Sequence, residues 1–186
     1  MKKVLAVFIA LFMLTGCAKS GDQMSRAMAL REQIMKSEGC SFMAVITADY
    51  GDKIYNFTLD CKTDSTGNLS FTVVEPATIA GIQGAVSAGG GNLTFDDKVL
   101  AFETMADGMI TPVSAPWVLM NSLRSGYLGA CGTDGEYLKI LLDDSYREEA
   151  LRLEVWLDSQ ERPVRTEILW KGKRVLSLDV KNFAYL

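Results

Sequence analysis

The sequence contains no histidine among its 186 residues. Ser-His-Asp and Cys-His catalysis both need an imidazole, and so do the zinc sites that use histidine as a ligand. None of the four cysteines forms a CxxC pair of the kind found in redox motifs. These absences exclude most familiar hydrolase mechanisms. We therefore expect no catalytic residue, no metal site and no cofactor.

Basic residues are too few for a nucleic-acid partner. Nineteen lysines and arginines stand against 23 aspartates and glutamates. Loss of Lys2 and Lys3 with the signal segment described below leaves 17 basic residues, and 17 − 23 gives a net charge of −6. A protein that binds nucleic acid needs a basic face to neutralise phosphates. We expect no such partner.

The N-terminal segment lacks an apolar run long enough to span a bilayer. Two lysines precede an uncharged apolar run from Val4 to Leu14, which is shorter than the roughly 20 residues that a transmembrane helix needs. This pattern is typical of an export signal. The run ends in "LTGC", which matches the lipobox of bacterial lipoproteins. It predicts a cleaved signal peptide at 1–16 and a diacylglycerol on Cys17; the alternative is an ordinary signal peptide with an incidental cysteine.

A lipidated Cys17 would hold the protein on the extracytoplasmic face of the cell membrane, or on the outer membrane if the host has two membranes. Each buried acyl CH₂ contributes about 0.8 kcal/mol, so two chains anchor firmly. The polar residues 18–23 are expected to complete a short tether over 17–23. The remaining segment, 24–186, has the length of one domain.

Apolar periodicity predicts a helix and then a hairpin. Over 22–37 the apolar residues recur at helical spacing, which indicates an amphipathic helix. Alternation over Phe42–Tyr50 and Ile54–Cys61, around a Gly-Asp turn, predicts two antiparallel strands. Pairing Ile46 with Phe57 gives one wholly apolar face, which supports this register.

The predicted register of the first two strands also determines how far apart Cys40 and Cys61 lie. With Cys17 lipidated, three remain outside the cytoplasm, where disulfides persist. Cys40 lies one pleat diagonally beyond Cys61, about 7 Å away in regular geometry, and a small bulge would allow a disulfide. The two interpretations are a Cys40–Cys61 disulfide with Cys131 free, or three buried, reduced cysteines that behave as small hydrophobes.

Further strands are expected along the chain. A glycine run at 89–91 and the turn at Asp96 and Asp97 are interpreted as hairpin turns rather than as a phosphate loop and a metal site. Ser114–Gly126 has the signals of a short, very apolar helix. Strands are predicted near 69–73, 79–88, 93–95, 99–102, 137–142, 151–157, 164–170 and 174–180. About ten or eleven antiparallel strands favour a strongly curved sheet in an α+β fold.

Three stretches carry a resemblance to a known family: "FTVVEPATIAGIQG", "DGMITPVSAPWVLMNSL" and "LEVWLDSQERPVRTEILWKGKRVLSLDVKNF". Their order resembles the half-barrel of the LolA and LolB lipoprotein carriers and related lipid-binding lipoproteins. The chain also resembles germination lipoproteins of the GerS type, which share this fold and bind a cell-wall amidase. The resemblance implies an open half-barrel with an N-terminal helix and a short helix at its mouth.

In LolA-type carriers the cavity holds acyl chains and the mouth helix acts as a lid. The resemblance therefore implies a cavity wall, with simple core packing as the alternative for each residue: Ile46, Phe57, Phe71, Trp117, Met120 and Leu123. The expected function is binding of an acyl chain or lipidated molecule by a membrane-anchored module. The alternative is a GerS-like protein that binds an envelope enzyme. A third interpretation, glycosidase chemistry by carboxylates at 143–149, gives way to a solvated acidic loop.

Overall fold

A computed structural model describes residues 18–88, 90–92 and 104–186. The lipobox at Cys17 and the hairpin predicted around Asp96 and Asp97 lie outside these residues. Within them, no helix has both the length and the apolar character that crossing a membrane requires.

The chain begins with a long helix and continues mainly as antiparallel strands. The two α-helices are α1 (Ala18–Lys36) and α2 (Ala115–Ser125), and short 3₁₀ turns occupy Ala77–Ile79 and Pro112–Ser114. The strands are β1 (Gly39–Asp49), β2 (Ile54–Asp64), β3 (Leu69–Glu75), β4 (Gln83–Ser87), β5 (Gly90–Asn92), β6 (Tyr127–Asp134), β7 (Tyr137–Asp143), β8 (Arg152–Leu157), β9 (Pro163–Trp170) and β10 (Lys173–Tyr185).

The ten strands form one open, strongly curved sheet, in the order β5-β4-β3-β2-β1-β10-β9-β8-β7-β6. Two meanders, β1 to β5 and β6 to β10, join where β1 pairs with β10. A sheet this wide curls because each pair of neighbouring strands adds twist. The predicted curved antiparallel sheet with an N-terminal helix and a short second helix is confirmed.

The hairpin register predicted for the first two strands is confirmed. Ile46 pairs with Phe57 and Phe42 pairs with Cys61, and this register runs without interruption from the turn to Gly39 opposite Asp64. Residues on one face of β1 are buried and those on the other are partly exposed. The alternation of apolar and polar residues in the sequence therefore corresponds to the two faces of the sheet.

The concave face is continuous and apolar from strand to strand. One row crosses the sheet through Ile140, Val155, Thr166, Leu178 and Ile46, which are neighbours in the registers of β7, β8, β9, β10 and β1. Each of these side chains is at most 2% exposed. The helices α1 and α2 share the hydrophobic core with this face.

The first helix begins earlier than predicted. It starts at Ala18, so residues 18–23, expected to be a polar tether, are helical here. Alanine, lysine and glutamine are good helix formers, and the single glycine, Gly21, costs only about 1 kcal/mol. Ala27, Leu30 and Ile34 form the buried stripe of α1. The second helix lies within the predicted Ser114–Gly126, with Ser114 as its N-cap residue.

Candidate functional site

The residues predicted to line a cavity come together in one hydrophobic cluster on the concave side of the sheet. Ile46, Phe71, Met120 and Leu123 are buried, with exposures of 3% or less, and Phe57 and Trp117 are partly buried against them. The first three strands supply one half of this set and α2 supplies the other. In this structure the side chains pack as core, so they would line a cavity only after α2 moved away.

Residues near both ends of α2 are hydrogen-bonded to the turn between β2 and β3. The Trp117 indole Nε1 donates a hydrogen bond of 3.1 Å to the Gly67 carbonyl oxygen. From the next turns of the helix, the Arg124 guanidinium donates one of 2.9 Å to the Ser65 carbonyl. Gly67 has φ +89°, a left-handed backbone conformation that glycine adopts without steric cost.

Asp64 accepts several hydrogen bonds within the β2–β3 turn. Its Oδ1 accepts hydrogen bonds from the Thr66 hydroxyl at 2.6 Å, the Thr66 backbone N–H at 2.9 Å and the Asn68 backbone N–H at 3.0 Å. The Thr66 hydroxyl, followed by the Asn68 donors, lowers the pKa of the Asp64 carboxyl to about 2. The support for α2 is therefore a turn held by an ionised carboxylate.

The C-terminal end of α2 is capped by Arg31 of α1. The Arg31 guanidinium donates to the carbonyl oxygens of Leu123 at 2.8 Å, Gly126 at 2.7 Å and Ser122 at 3.3 Å. Carbonyls in the last turn of a helix have no partner inside it, and the negative end of the helix dipole attracts a cation. Burial lowers the pKa of Arg31, and nearby Tyr146 opposes that shift. This residue joins the two helices.

The structure corrects the predicted disulfide. Cys40 and Cys61 are both free thiols, as is Cys131. The β1–β2 register continues without a bulge, so Cys40 stays opposite Thr63 and the diagonal gap to Cys61 does not close. Burial raises the pKa of all three thiols. A raised pKa lowers the fraction of thiolate, which is the reactive form of cysteine.

The carboxylates at 143–149 are engaged in structural contacts. Asp143 forms an ion pair of 3.0 Å with Arg152, and Glu149 lies 3.5 Å from Lys171. Asp144 accepts a hydrogen bond of 2.9 Å from the Leu151 backbone N–H, while burial raises its pKa. Among the described residues, no group of three or more acidic or cysteine side chains is placed to hold a metal ion.

Two open grooves mark the surface. One, of about 570 Å³, lies at this acidic loop beside Trp170 and Lys171. The other, of about 640 Å³, lies beside Trp156, whose indole donates a 2.8 Å hydrogen bond to Asp134. None of the six predicted cavity residues lines either groove.

Sequence reasoning missed two features near this cluster. The first is β6, whose "YLGACGTD" has little apolar alternation because it is an exposed edge strand. The second is the Arg31 cap, which joins residues more than 90 positions apart. Nothing in local periodicity marks such a contact. The sequence does place one charged residue, Arg31, between the buried Leu30 and Ile34 of α1, and this position could have indicated a buried contact.

No protein-family model matches the sequence, and no curated protein matches it. Solved structures similar to it include an uncharacterized conserved protein from Thermus thermophilus (12% identity, TM-score 0.46, 86% of this chain and 87% of that chain). A DUF1329 family protein from Desulfovibrio piger is also similar (11%, 0.45, 89% and 92%). So is a LolA superfamily protein from Nitrosomonas europaea (9%, 0.44, 84% and 92%). At these identities the similarity concerns the course of the backbone and assigns no ligand or activity.

Proposed function

We propose that this chain is a membrane-anchored envelope lipoprotein, lipidated on Cys17, whose half-barrel admits an acyl chain or a lipidated molecule when α2 is displaced. The observation that carries the proposal is the arrangement of α2. Its apolar side chains, Met120 and Leu123 among them, occupy the concave apolar face. The polar contacts described above that hold it, from Trp117, Arg124 and Arg31, lie near its ends.

An acyl chain would replace the contacts that α2 makes with the sheet. Burying apolar surface contributes about 25 cal/mol per Å², whether a helix or a lipid covers it. Displacement of α2 therefore exchanges one apolar cover of the sheet for another. The unfavourable part is loss of the hydrogen bonds at the ends of α2 and exposure of those apolar α2 side chains that the lipid does not cover. Each of these hydrogen bonds contributes about 1 kcal/mol net. No residue in this scheme is catalytic.

The test compares two tryptophan variants in the uptake of a fluorescent fatty acid. Trp117→Phe removes the donor to Gly67 and keeps an aromatic ring in the cluster. Trp156→Phe is the matched control, since it also removes one indole hydrogen bond, on the convex face. Loss of about 1 kcal/mol should raise the open population about fivefold. We expect greater uptake for Trp117→Phe alone.

Native mass spectrometry of the full chain, extracted gently from membranes, supplies the second measurement. A bound lipid and a diacylated Cys17 are the expected species. Equal uptake by both tryptophan variants, together with a uniformly lipid-free protein, would contradict the acyl-binding proposal.

A second candidate function is GerS-like binding of an envelope enzyme, with the half-barrel as a scaffold. The packed interior favours it, because Ile46 and Met120 already exclude a ligand in this structure. Co-purification of one stoichiometric envelope enzyme with the anchored protein, unchanged by Trp117→Phe, would support this function. Recovery of lipid alone would contradict it.

A further inference from the structure

The first strand of the second meander, β6, is the last strand at one edge of the sheet that the described residues form. In the described part of the chain it pairs only with β7. Five of its eight residues are exposed, and its sequence, "YLGACGTD", has no lysine, arginine or proline. Natural edge strands usually carry such residues to prevent pairing with another chain. No described residue pairs with the outer backbone groups of this strand.

The turn between β6 and β7 shows which backbone groups face outward. Only Gly135 and Glu136 separate the two strands, so Asp134 and Tyr137 flank a two-residue hairpin turn. Such flanking residues form a hydrogen-bonded pair, and hydrogen-bonded pairs alternate along the ladder. The backbone N–H and C=O groups of Cys131 and Thr133 therefore point away from β7, toward the open edge.

Exposed methionines of α1 form a row that begins beside this edge. Met24, Met28 and Met35 are 36%, 47% and 59% exposed, and their spacing places them on one flank of the helix. We call these three residues the methionine ledge. The Met24 sulfur lies 4.0 Å from the Cys131 sulfur, which sets the Met24 end of the ledge next to β6. Unbranched methionines adapt to differently shaped apolar partners.

We propose that β6 and the methionine ledge dock an extended segment of a protein partner, which adds as a strand to the sheet. Alternate apolar side chains of that segment would rest on the ledge, while its backbone pairs with Cys131 and Thr133. Gly129, Ala130 and Gly132 leave room for its side chains along the edge. This inference deepens the second candidate function and rests on it.

The backbone groups decide between a peptide and a bilayer as the occupant. Lipid chains would cover the methionine ledge but offer no partner for the N–H and C=O groups of β6, and each such group costs several kcal/mol in hydrocarbon. An extended peptide satisfies both features at once. The proposal therefore commits to a peptide.

The experiment measures amide hydrogen exchange over β6 in the full-length lipoprotein, held in phosphatidylcholine nanodiscs. The probe is a nine-residue peptide of alternating valine and threonine with a lysine at each end. The unmodified chain and Thr133→Ala should show at least fivefold slower exchange at Cys131, whose N–H faces the open edge, when the peptide is added. Thr133→Pro should show none, because proline removes an outward donor without removing a bond to β7.

A second pair of variants tests the ledge independently of the strand. Met28→Glu should weaken the protection, whereas Ala29→Glu, an exposed position on another side of α1, should not. Equal protection in Thr133→Pro, no protection in any variant, or a ledge protected by the nanodisc alone would overturn the proposal. So would a chain that is already dimeric through β6. Loss of peptide protection with normal fatty-acid uptake would contradict this docking and leave the acyl-binding function standing.

Discussion

The Arg31 guanidinium on the first helix lies 2.7 Å from the Gly126 carbonyl oxygen, just past the last turn of the second helix. This contact joins the segment that follows the expected lipid anchor to the helix that covers the concave face. Because the same guanidinium also reaches the Leu123 carbonyl, it satisfies helix-end acceptors that would otherwise lack a partner.

Removing this cap should destabilise the domain. We expect Arg31→Met to lower the free energy of unfolding by about 2 kcal/mol, since it removes charged hydrogen bonds and leaves carbonyls unpaired. Arg26→Met in the same helix is the control. It removes a partly exposed ion pair with Glu161 and should cost about 0.5 kcal/mol. Urea unfolding followed by circular dichroism measures both, and equal losses would contradict the capping role of Arg31.

A buried hydroxyl lowers the stability of the core. Thr166 is 0% exposed in the apolar row across the sheet, and no described group forms a hydrogen bond with its Oγ1. Thr166→Val should therefore raise the free energy of unfolding by about 1 kcal/mol. Thr58→Val, which removes a hydroxyl that donates to Glu75 at 2.9 Å, should not stabilise. Thermal unfolding of the two variants distinguishes these outcomes.

Acid should weaken the turn that supports α2. The folded-state pKa of Asp64 is lowered to about 2, below the unfolded value of about 3.9, so its contribution is present above about pH 3.9 and is lost as pH falls through about 2. Asp64→Asn should flatten the decline of stability between about pH 4 and about pH 2. The midpoint of urea unfolding, measured at several pH values, checks this. Parallel declines in the two proteins would contradict it.

Thiol reactivity should follow exposure. Cys131 is partly exposed, whereas Cys40 and Cys61 are buried, and burial raises the pKa of each. We expect 5,5′-dithiobis(2-nitrobenzoic acid) at about pH 8 to modify Cys131 first and the other two only after unfolding. Mass spectrometry of the modified peptides identifies the site. The thiols of the unfolded chain ionise above about pH 8.5, whereas the raised pKa of the folded-state thiols opposes their ionisation. The stability of the folded state should therefore also fall above about pH 8.5.

The local sequence pattern correctly predicted the β1–β2 register and the α2 helix, because neighbouring residues determine both. The register that pairs Ile46 with Phe57 followed from strict alternation around a Gly-Asp turn, because a shift of one residue would expose every apolar side chain. The α2 helix followed from its capping serine and proline. The edge strand β6 was missed because solvent on several sides removes the need for alternation.

Features that depend on packing between distant segments could not be predicted from the sequence. The Cys40–Cys61 disulfide was predicted on the condition of a bulge, and whether a strand bulges depends on packing that alternation does not report. The residues predicted to line a cavity lie in one hydrophobic cluster, yet whether they line a space or fill it depends on how deeply α2 enters. Side-chain volumes from distant segments decide that depth.

The central position of β10 has a consequence for biogenesis. Its neighbour β1 lies more than 120 residues earlier in the chain, and within the described ranges their pairing is the only strand pairing that connects the two meanders. During the export that the proposed lipoprotein requires, each meander can assemble as it emerges, but the two cannot join until residues 173–185 have left the translocation channel. A stop codon that removes only those residues would therefore remove the strand between β1 and β9. The two meanders would then have no strand pairing between them within the described residues.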